Sequence, residues 1–251
     1  SDFGKLLAPQ DLREAVDILL GPGFFAPLQW LGLLVALLLL AARRPLRGRL
    51  RESSRLVGNP VKDSFRYTLQ ALAIVLLLVL PGPLLLASLA LKLEFSNDPL
   101  LLSHALAVAL FSAASSLFFL LLFFTICGPD GLGQRHFLWH QPALRPLRHE
   151  LGRLIVPLIP LTFLLNLLFQ LDAGGIAWAG LRLGLMACVL LLTGFFVRVL
   201  RRSGELMRAL EKPKAYVSLV RLRRVWQALV VLVPLAMLVL LAAGYVYLAG
   251  M

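Results

Sequence analysis

The residue types that could support catalysis or metal binding are concentrated in the stretch GPDGLGQRHFLWHQPALRPLRHE, residues 128–150. Three of the four histidines of the chain lie here. His136 and His140 have the spacing that places two imidazoles on one face of a helix. His149 and the adjacent Glu150 could complete a set of metal ligands, so a metal site is the first function to test against the rest of the stretch.

Other residues of the same stretch argue against an active site. Pro142 and Pro146 disfavour the regular helix that would align the histidines. Gly131 and Gly133 form a G-x-G, but it follows an apolar helix and no third glycine comes at the offset that a dinucleotide-binding loop needs. The order of the residues gives no Ser, His and Asp triad. The sequence therefore predicts no enzymatic activity, no cofactor and no bound metal.

Hydrophobic residues dominate the chain and determine its class. They make up 59% of the sequence, and the mean hydropathy is +0.85, which indicates an integral membrane protein. The apolar residues form six runs of about 18 or more, the length that crosses a hydrocarbon core as a helix. The predicted fold is all-α, a six-span helical bundle with kinked helices. The predicted spans are 24–42, 69–91, 100–127, 154–171, 176–199 and 225–249.

Prolines and basic residues add detail to this bundle. Kinks are expected at Pro81 and Pro83, at Pro157 and Pro160, and at Pro234. Most of the 25 Lys and Arg residues lie in or beside the first, third and fifth loops between spans, which are therefore expected on the cytoplasmic side.

This distribution of charge predicts that both termini are periplasmic. Residues 24–251 form the six-span module. Residues 1–23 form a periplasmic lead-in, either the end of an upstream helical region or a helix at the outer interface.

The net charge of +12 comes from basic residues that lie close to the ends of the spans. No aromatic stacking platform or recognition helix accompanies them, so nucleic acid is not an expected partner. Anionic lipid headgroups are the expected partner instead. The candidate headgroup ligands are Arg43, Arg44, Arg47, Arg201 and Arg202. The two cysteines, Cys127 and Cys188, are expected to be structural thiols, since neither has metal ligands nearby.

Small residues in two spans predict close helix contacts. Ala105, Ala109 and Ala113 form one row of the third span, and Gly180 and Gly184 form a pair in the fifth.

Acidic residues are absent from the six predicted span interiors, where the polar exceptions are His104, Asn166, Gln170 and Arg182. Asn166 and Gln170 are expected to bond across helices. Arg182 is expected to extend outward or to meet Asp172.

Several motifs resemble the N-terminal inner-membrane region of the large MscS-like mechanosensitive channels, the MscK and MscM branch of Gram-negative bacteria. The most specific is GLGQRHFLW, followed by a basic stretch and LIVPLIPLTFLL. The others are GPGFFAPLQWLGL, NPVKDSFRYTLQAL and RSGELMRALEKPKA, and together they cover nearly the whole chain. The residues of the cytoplasmic loop that mark the family are Gly131, Gly133, Arg135, His136, Phe137 and Trp139.

This resemblance implies a tension-sensing module of a channel that releases ions and osmolytes on hypo-osmotic shock. It implies a bacterial inner membrane, a homo-oligomer that is heptameric by family, and a pore helix and cytoplasmic vestibule outside this chain. Two alternatives stay open, a secondary transporter and a membrane scaffold subunit. Residues 1–125 and 126–251 each hold three predicted spans, as an inverted repeat would, but they share no motif.

Overall fold

A computed structural model describes residues 26–56, 65–95, 101–129, 131–135, 141–171, 174–202 and 223–243. All the regular structure in these ranges is α-helical, which confirms the predicted helical class. The helices are α1 (Ala26–Ala41), α2 (Arg43–Leu56), α3 (Phe65–Val79), α4 (Pro81–Glu94), α5 (Leu101–Ile126), α6 (Leu132–Arg135), α7 (Gln141–Gln170), α8 (Gly174–Arg202) and α9 (Arg223–Ala242).

Three helices of the described ranges are long and apolar enough to cross a membrane, in Leu102–Ile126, Leu144–Gln170 and Ala179–Val199. The bent pair Thr68–Val79 and Pro81–Glu94 adds a fourth candidate if it counts as one span. The apolar helices Trp30–Ala41 and Leu232–Leu241 are shorter. The chain is therefore a multi-pass membrane protein with three or four candidate spans.

The second predicted span is bent at its prolines, as expected. The two helical segments meet at 52° around Leu80. Proline has no N–H, so Pro81 and Pro83 leave the carbonyls of Leu77 and Val79 without their usual donors. Backbone bonds run from Leu80 N to Leu76 O at 3.0 Å and from Leu84 N to Leu80 O at 2.9 Å. Helical hydrogen bonding therefore reaches Leu80 from both sides of the bend.

Pro142 and Pro146 were expected to disfavour a regular helix around His136 and His140, which lie outside the described residues, but the two prolines themselves are part of α7, which begins at Gln141. Pro142 lies in the first turn, where backbone N–H groups have no partner within the helix in any case. Pro146 deprives only the carbonyl of Pro142 of its usual donor. The same helix also runs through Pro157 and Pro160.

The first predicted loop between spans contains α2, a basic helix that follows α1 after Ala42 alone. Backbone bonds from Ala42 N to Leu38 O and from Leu46 N to Ala42 O link the two helices. Arg44 and Arg47 are exposed, whereas Leu50 is buried. This division of polar and apolar sides is typical of a helix that lies at a membrane surface.

The described residues divide into two compact units, and the first unit comprises those of Ser1–Arg49, Ala73–Leu122 and Ile159–Leu181. In this unit α1 packs against α4. A Cβ placed on Gly32 would overlap Ser88 Oγ, so the absence of a side chain at Gly32 allows the close approach. The Ser88 hydroxyl donates to the Leu84 carbonyl at 2.7 Å, which satisfies its polar group inside the contact.

Small side chains also form the contacts around α5 in the first unit. Ala105, Ala109 and Ala113 are all buried. A Cβ on Gly82 would lie 3.5 Å from Leu117 Cδ2, so the bend of the α3–α4 pair rests directly against α5. A Cβ on Gly180 would similarly lie 3.5 Å from Leu168 Cδ1.

The second unit comprises the described residues of Leu50–Leu72, Phe123–Leu158 and Arg182–Met251. It contains the end of α5, the first half of α7 and most of α8. Gly152 of α7 lies against the Phe124 ring, whose Cε2 atom is 3.4 Å from a Cβ built on the glycine. The charged cluster around Glu150 described below belongs to this unit.

Candidate functional site

A tight turn follows α5 and begins the stretch of residues 128–150. Gly128 N donates to Thr125 O, and Gly131 N donates to Gly128 O, both at 3.0 Å. A Cβ on Gly131 would lie 2.6 Å from Ile126 O and 2.7 Å from Thr125 O. These neighbours are backbone atoms that cannot rotate away, so the turn requires glycine at this position.

The predicted family-marking loop is described only in part. Gly131 and Gly133 are buried, and Arg135 is the last residue of α6. His136, Phe137 and Trp139 lie outside the described residues, as does the other histidine of the predicted pair, His140.

The predicted headgroup ligands lie on two helices. Arg43, Arg44 and Arg47 occupy the first turns of α2, and Arg201 and Arg202 end α8. Gly184 lies on α8 one turn after Gly180 and is partly buried.

A charged cluster lies around Glu150, near the beginning of α7. The Glu150 side chain is only 2% exposed. Arg153 Nη1 donates to its Oε1 at 3.3 Å, and Arg198 Nη1 of α8 lies 3.8 Å from its Oε2. His149 Nδ1 is 3.7 Å from Oε1. Burying a carboxylate is costly unless charged or polar groups compensate it, so the two arginines stabilise Glu150 and connect α7 with α8.

An aromatic contact connects α7 with the end of α5. The guanidinium of Arg148 lies 4.5 Å from the centre of the Phe124 ring, which is a cation–π geometry. The neighbouring Cys127 is buried. Burial raises the pKa of the Cys127 thiol, and the positive charge of Arg148 opposes that rise. A thiol with a raised pKa is a weak nucleophile at neutral pH, which fits a structural role.

Two polar residues of the predicted spans, Arg182 and Asn166, donate hydrogen bonds to backbone carbonyls. Arg182 donates from Nε and Nη2 to the carbonyl of Leu241, at 3.2 and 3.0 Å. Its expected partner Asp172 lies outside the described residues. Asn166 was expected to bond across helices, but its Nδ2 donates to Thr162 O of its own helix.

His104 contacts a carboxylate of the first unit. Its Nδ1 atom lies 2.9 Å from Oε2 of Glu94, which connects the end of α4 with the beginning of α5. Across the described residues, no three His, Cys, Asp or Glu side chains come close enough together to hold a metal ion.

Sequence reasoning missed the role of Glu150, which it treated only as a possible metal ligand. The local signal was that Glu150 is the single acidic residue of 135–153, a range with four arginines, and comes three positions before Arg153. Arg198 could not be paired with it from the sequence, because Glu150 lies in the third predicted loop and Arg198 at the end of the fifth predicted span.

The helical architecture, the candidate spans and the basic residues near their ends define a multi-pass membrane protein. Residues 26–251 match the family described as mechanosensitive ion channel inner membrane domain 1, and the chain belongs to that family. The resemblance to MscS-like mechanosensitive channels is thereby confirmed at the level of the family. No curated protein and no solved structure matches the chain.

Proposed function

We propose that the chain is the tension-sensing membrane module of a large MscS-like channel of the MscK and MscM branch, which releases ions and osmolytes on hypo-osmotic shock. The observation that carries this proposal is the family match over residues 26–251. The pore helix and the cytoplasmic vestibule belong to other parts of the channel. The module performs no enzymatic reaction, and it works in a homo-oligomer, heptameric by family, in a bacterial inner membrane.

Membrane tension favours the conformation that occupies more area or fits a thinner bilayer. The bend between α3 and α4 provides a means of response, because a change in its angle changes the thickness that this pair of helices spans. The contact of Gly32 with Ser88 joins α4 to α1, and Gly82 lies against α5. A movement at the bend is therefore transmitted to both neighbouring helices.

The proposed topology has six spans with both termini in the periplasm. The basic helix α2 and the beginning of α7 then lie at the cytoplasmic face, where anionic lipids attract Lys and Arg. The headgroup ligands in this arrangement are Arg43, Arg44, Arg47, Arg201 and Arg202. Cysteine labelling from the periplasm should reach position 97 but not position 141, and labelling of position 141 in intact cells would contradict this topology.

Patch-clamp recording of the full-length protein tests the proposed function. Replacing Pro81 and Pro83 by Ala should straighten the bend, lengthen the apolar span and raise the tension that opens the channel. The single-channel conductance should not change, because the pore lies elsewhere. Pro160→Ala, at an exposed position of the continuous helix α7, is the matched control and should leave the threshold near that of the wild type.

Two results would contradict the proposal. One is a large change in conductance in the Pro81 and Pro83 variant, which would place the bend on the permeation path. The other is the absence of stepwise, tension-activated currents from the full-length protein, as expected for a transporter.

A further inference from the structure

The cluster around Glu150 has more positive charge than the carboxylate neutralises. Arg153 and Arg198 both contact the same buried carboxylate, one from α7 and one from α8. Their side chains are nevertheless 57% and 64% exposed. A guanidinium has five N–H donors, and a contact with Glu150 occupies only part of them. Both arginines can therefore bind a second anion from the exposed side.

The level of the cluster in the bilayer follows from helix length. The candidate span Leu144–Gln170 has 27 residues, which corresponds to about 40 Å of helix against a hydrocarbon core of about 30 Å. The charged residues of this span lie among its first ten positions, up to Arg153. Arg198 lies one residue before the end of the candidate span Ala179–Val199. Both arginines are thus expected at the level of the lipid headgroups.

We propose that Arg153 and Arg198 form a two-arginine cradle for the phosphate group of an anionic lipid, with Glu150 as the residue that positions them. Guanidinium groups suit phosphate because their planar donors form paired hydrogen bonds with its oxygens. The assignment of this cradle to the cytoplasmic leaflet rests on the proposed function, whereas its chemistry does not.

Glu150 contributes to the cradle by fixing two long side chains before the lipid binds. A flexible arginine loses conformational freedom when it binds an anion, and a side chain that is already held in place loses less. The carboxylate also lowers the net charge of the cluster. Fixing the arginine side chains favours anion binding, whereas the negative charge of the carboxylate opposes it. A neutral variant of Glu150 therefore separates the two effects.

The test measures binding of phosphatidylglycerol to the purified full-length protein in mixed micelles, with phosphatidylcholine as the reference lipid. Arg153→Ala and Arg198→Ala should each weaken binding by clearly more than the roughly fivefold effect of one surface arginine. Arg198→Lys keeps the charge but loses the paired hydrogen bonds, and should also weaken binding. Arg145→Ala removes the same charge from an exposed position of α7 and serves as the matched control.

Glu150→Gln gives the sharper result. If charge alone governs binding, this variant binds phosphatidylglycerol more tightly than the wild type, because one negative charge is lost. The cradle requires weaker binding, since both guanidiniums lose their anchor. Thermal unfolding in phosphatidylcholine shows whether each variant is folded. If Glu150→Gln is not folded, the binding of phosphatidylglycerol by the single arginine variants tests the cradle.

Competition by millimolar inorganic phosphate distinguishes a lipid from a free phosphate as the occupant. Phosphatidylglycerol should stay bound, and its displacement would overturn the assignment to a lipid. Equal binding by the Arg145, Arg153 and Arg198 variants would overturn the cradle itself. Neither result bears on channel gating, so the failure of this proposal and the failure of the proposed function remain distinguishable.

Discussion

The contact between α1 and α4 and the contact between α7 and α8 use opposite chemistry. In the first unit Gly32 and Ser88 allow two helices to approach closely, and the single hydroxyl bonds within its own helix. In the second unit a buried carboxylate of one helix meets an arginine of the other.

This difference follows from the surroundings of the two contacts. Between lipid-facing helices no hydrophobic effect drives association, so close packing of small residues has to supply the stability. Near the headgroups water and ions are available, so the free-energy cost of placing a charged side chain there is low. A contact formed by shape should respond to volume changes, and one formed by charge should respond to neutralisation and to salt.

The largest expected effect concerns the charged contact. Replacing both Arg153 and Arg198 by Ala leaves a buried carboxylate without its two arginines, and we expect a loss of about 3 kcal/mol in the free energy of unfolding. Glu150→Gln should cost only about 1 kcal/mol, because the arginines left behind are exposed to water. Denaturant unfolding in one detergent measures both values.

A larger loss of stability for the double arginine variant than for Glu150→Gln would identify the contact as electrostatic. Arg145→Ala should change stability by less than about 0.5 kcal/mol, as is usual for exposed positions. Raising the ionic strength should reduce the cost of the double arginine variant, since the exposed guanidiniums are screened. Equal losses for the double arginine variant and for Glu150→Gln would show that the contact depends on packing instead.

The next effect concerns the shape-based contact. Gly32→Ala places a Cβ onto Ser88 Oγ, so the hydroxyl must rotate away from its bond to the Leu84 carbonyl, which should cost about 1 kcal/mol. Gly48→Ala is the control, because a Cβ at Gly48 of α2 meets nothing within 4 Å and should stabilise the helix slightly. In a Ser88→Ala background the loss at Gly32 should become much smaller. If the two substitutions are additive instead, the contact is not the source of the cost.

The features that were predictable from sequence are those that depend on local pattern. The apolar runs 100–127 and 176–199 correspond closely to the candidate spans Leu102–Ile126 and Ala179–Val199. The kink at Pro81 and Pro83 was expected because proline removes a backbone donor, but the same reasoning also predicted kinks at Pro157 and Pro160, through which α7 runs as one helix. The beginning of α7 at Gln141 was not predictable, because proline is tolerated in the first turn of a helix and the sequence does not show where that turn lies.

Pairings between distant helices were not predictable. Glu150 with Arg198 and Gly32 with Ser88 join residues of different helices, and neither leaves a periodic signal in the sequence. A G-x-G was visible at Gly131, but the close approach of two backbone carbonyls that requires glycine there was not. The candidate site is therefore a product of tertiary structure, whereas the spans follow from composition.

The smallest expected effect concerns Cys127, whose thiol lies near the charge of Arg148 in the second unit. Burial raises the pKa of this thiol and the charge of Arg148 opposes the rise, so Arg148→Ala should raise the pKa further. With Cys188 replaced by Ser, alkylation of Cys127 at a fixed pH below the pKa of the thiol should slow, because a smaller fraction of it is then thiolate.

Arg148→Lys keeps the charge while it changes the contact with Phe124, and should leave the alkylation rate close to that of the wild type. Because the native thiol holds its proton more tightly than the unfolded one, its contribution to stability is complete below the unfolded pKa and is lost as the pH rises through the native pKa. Stability should therefore decline in alkaline solution, less so when Cys127 is replaced by Ala. Faster alkylation in Arg148→Ala would mean that the arginine acts by covering the thiol, and the contact would then belong with the shape-based packing of the first unit.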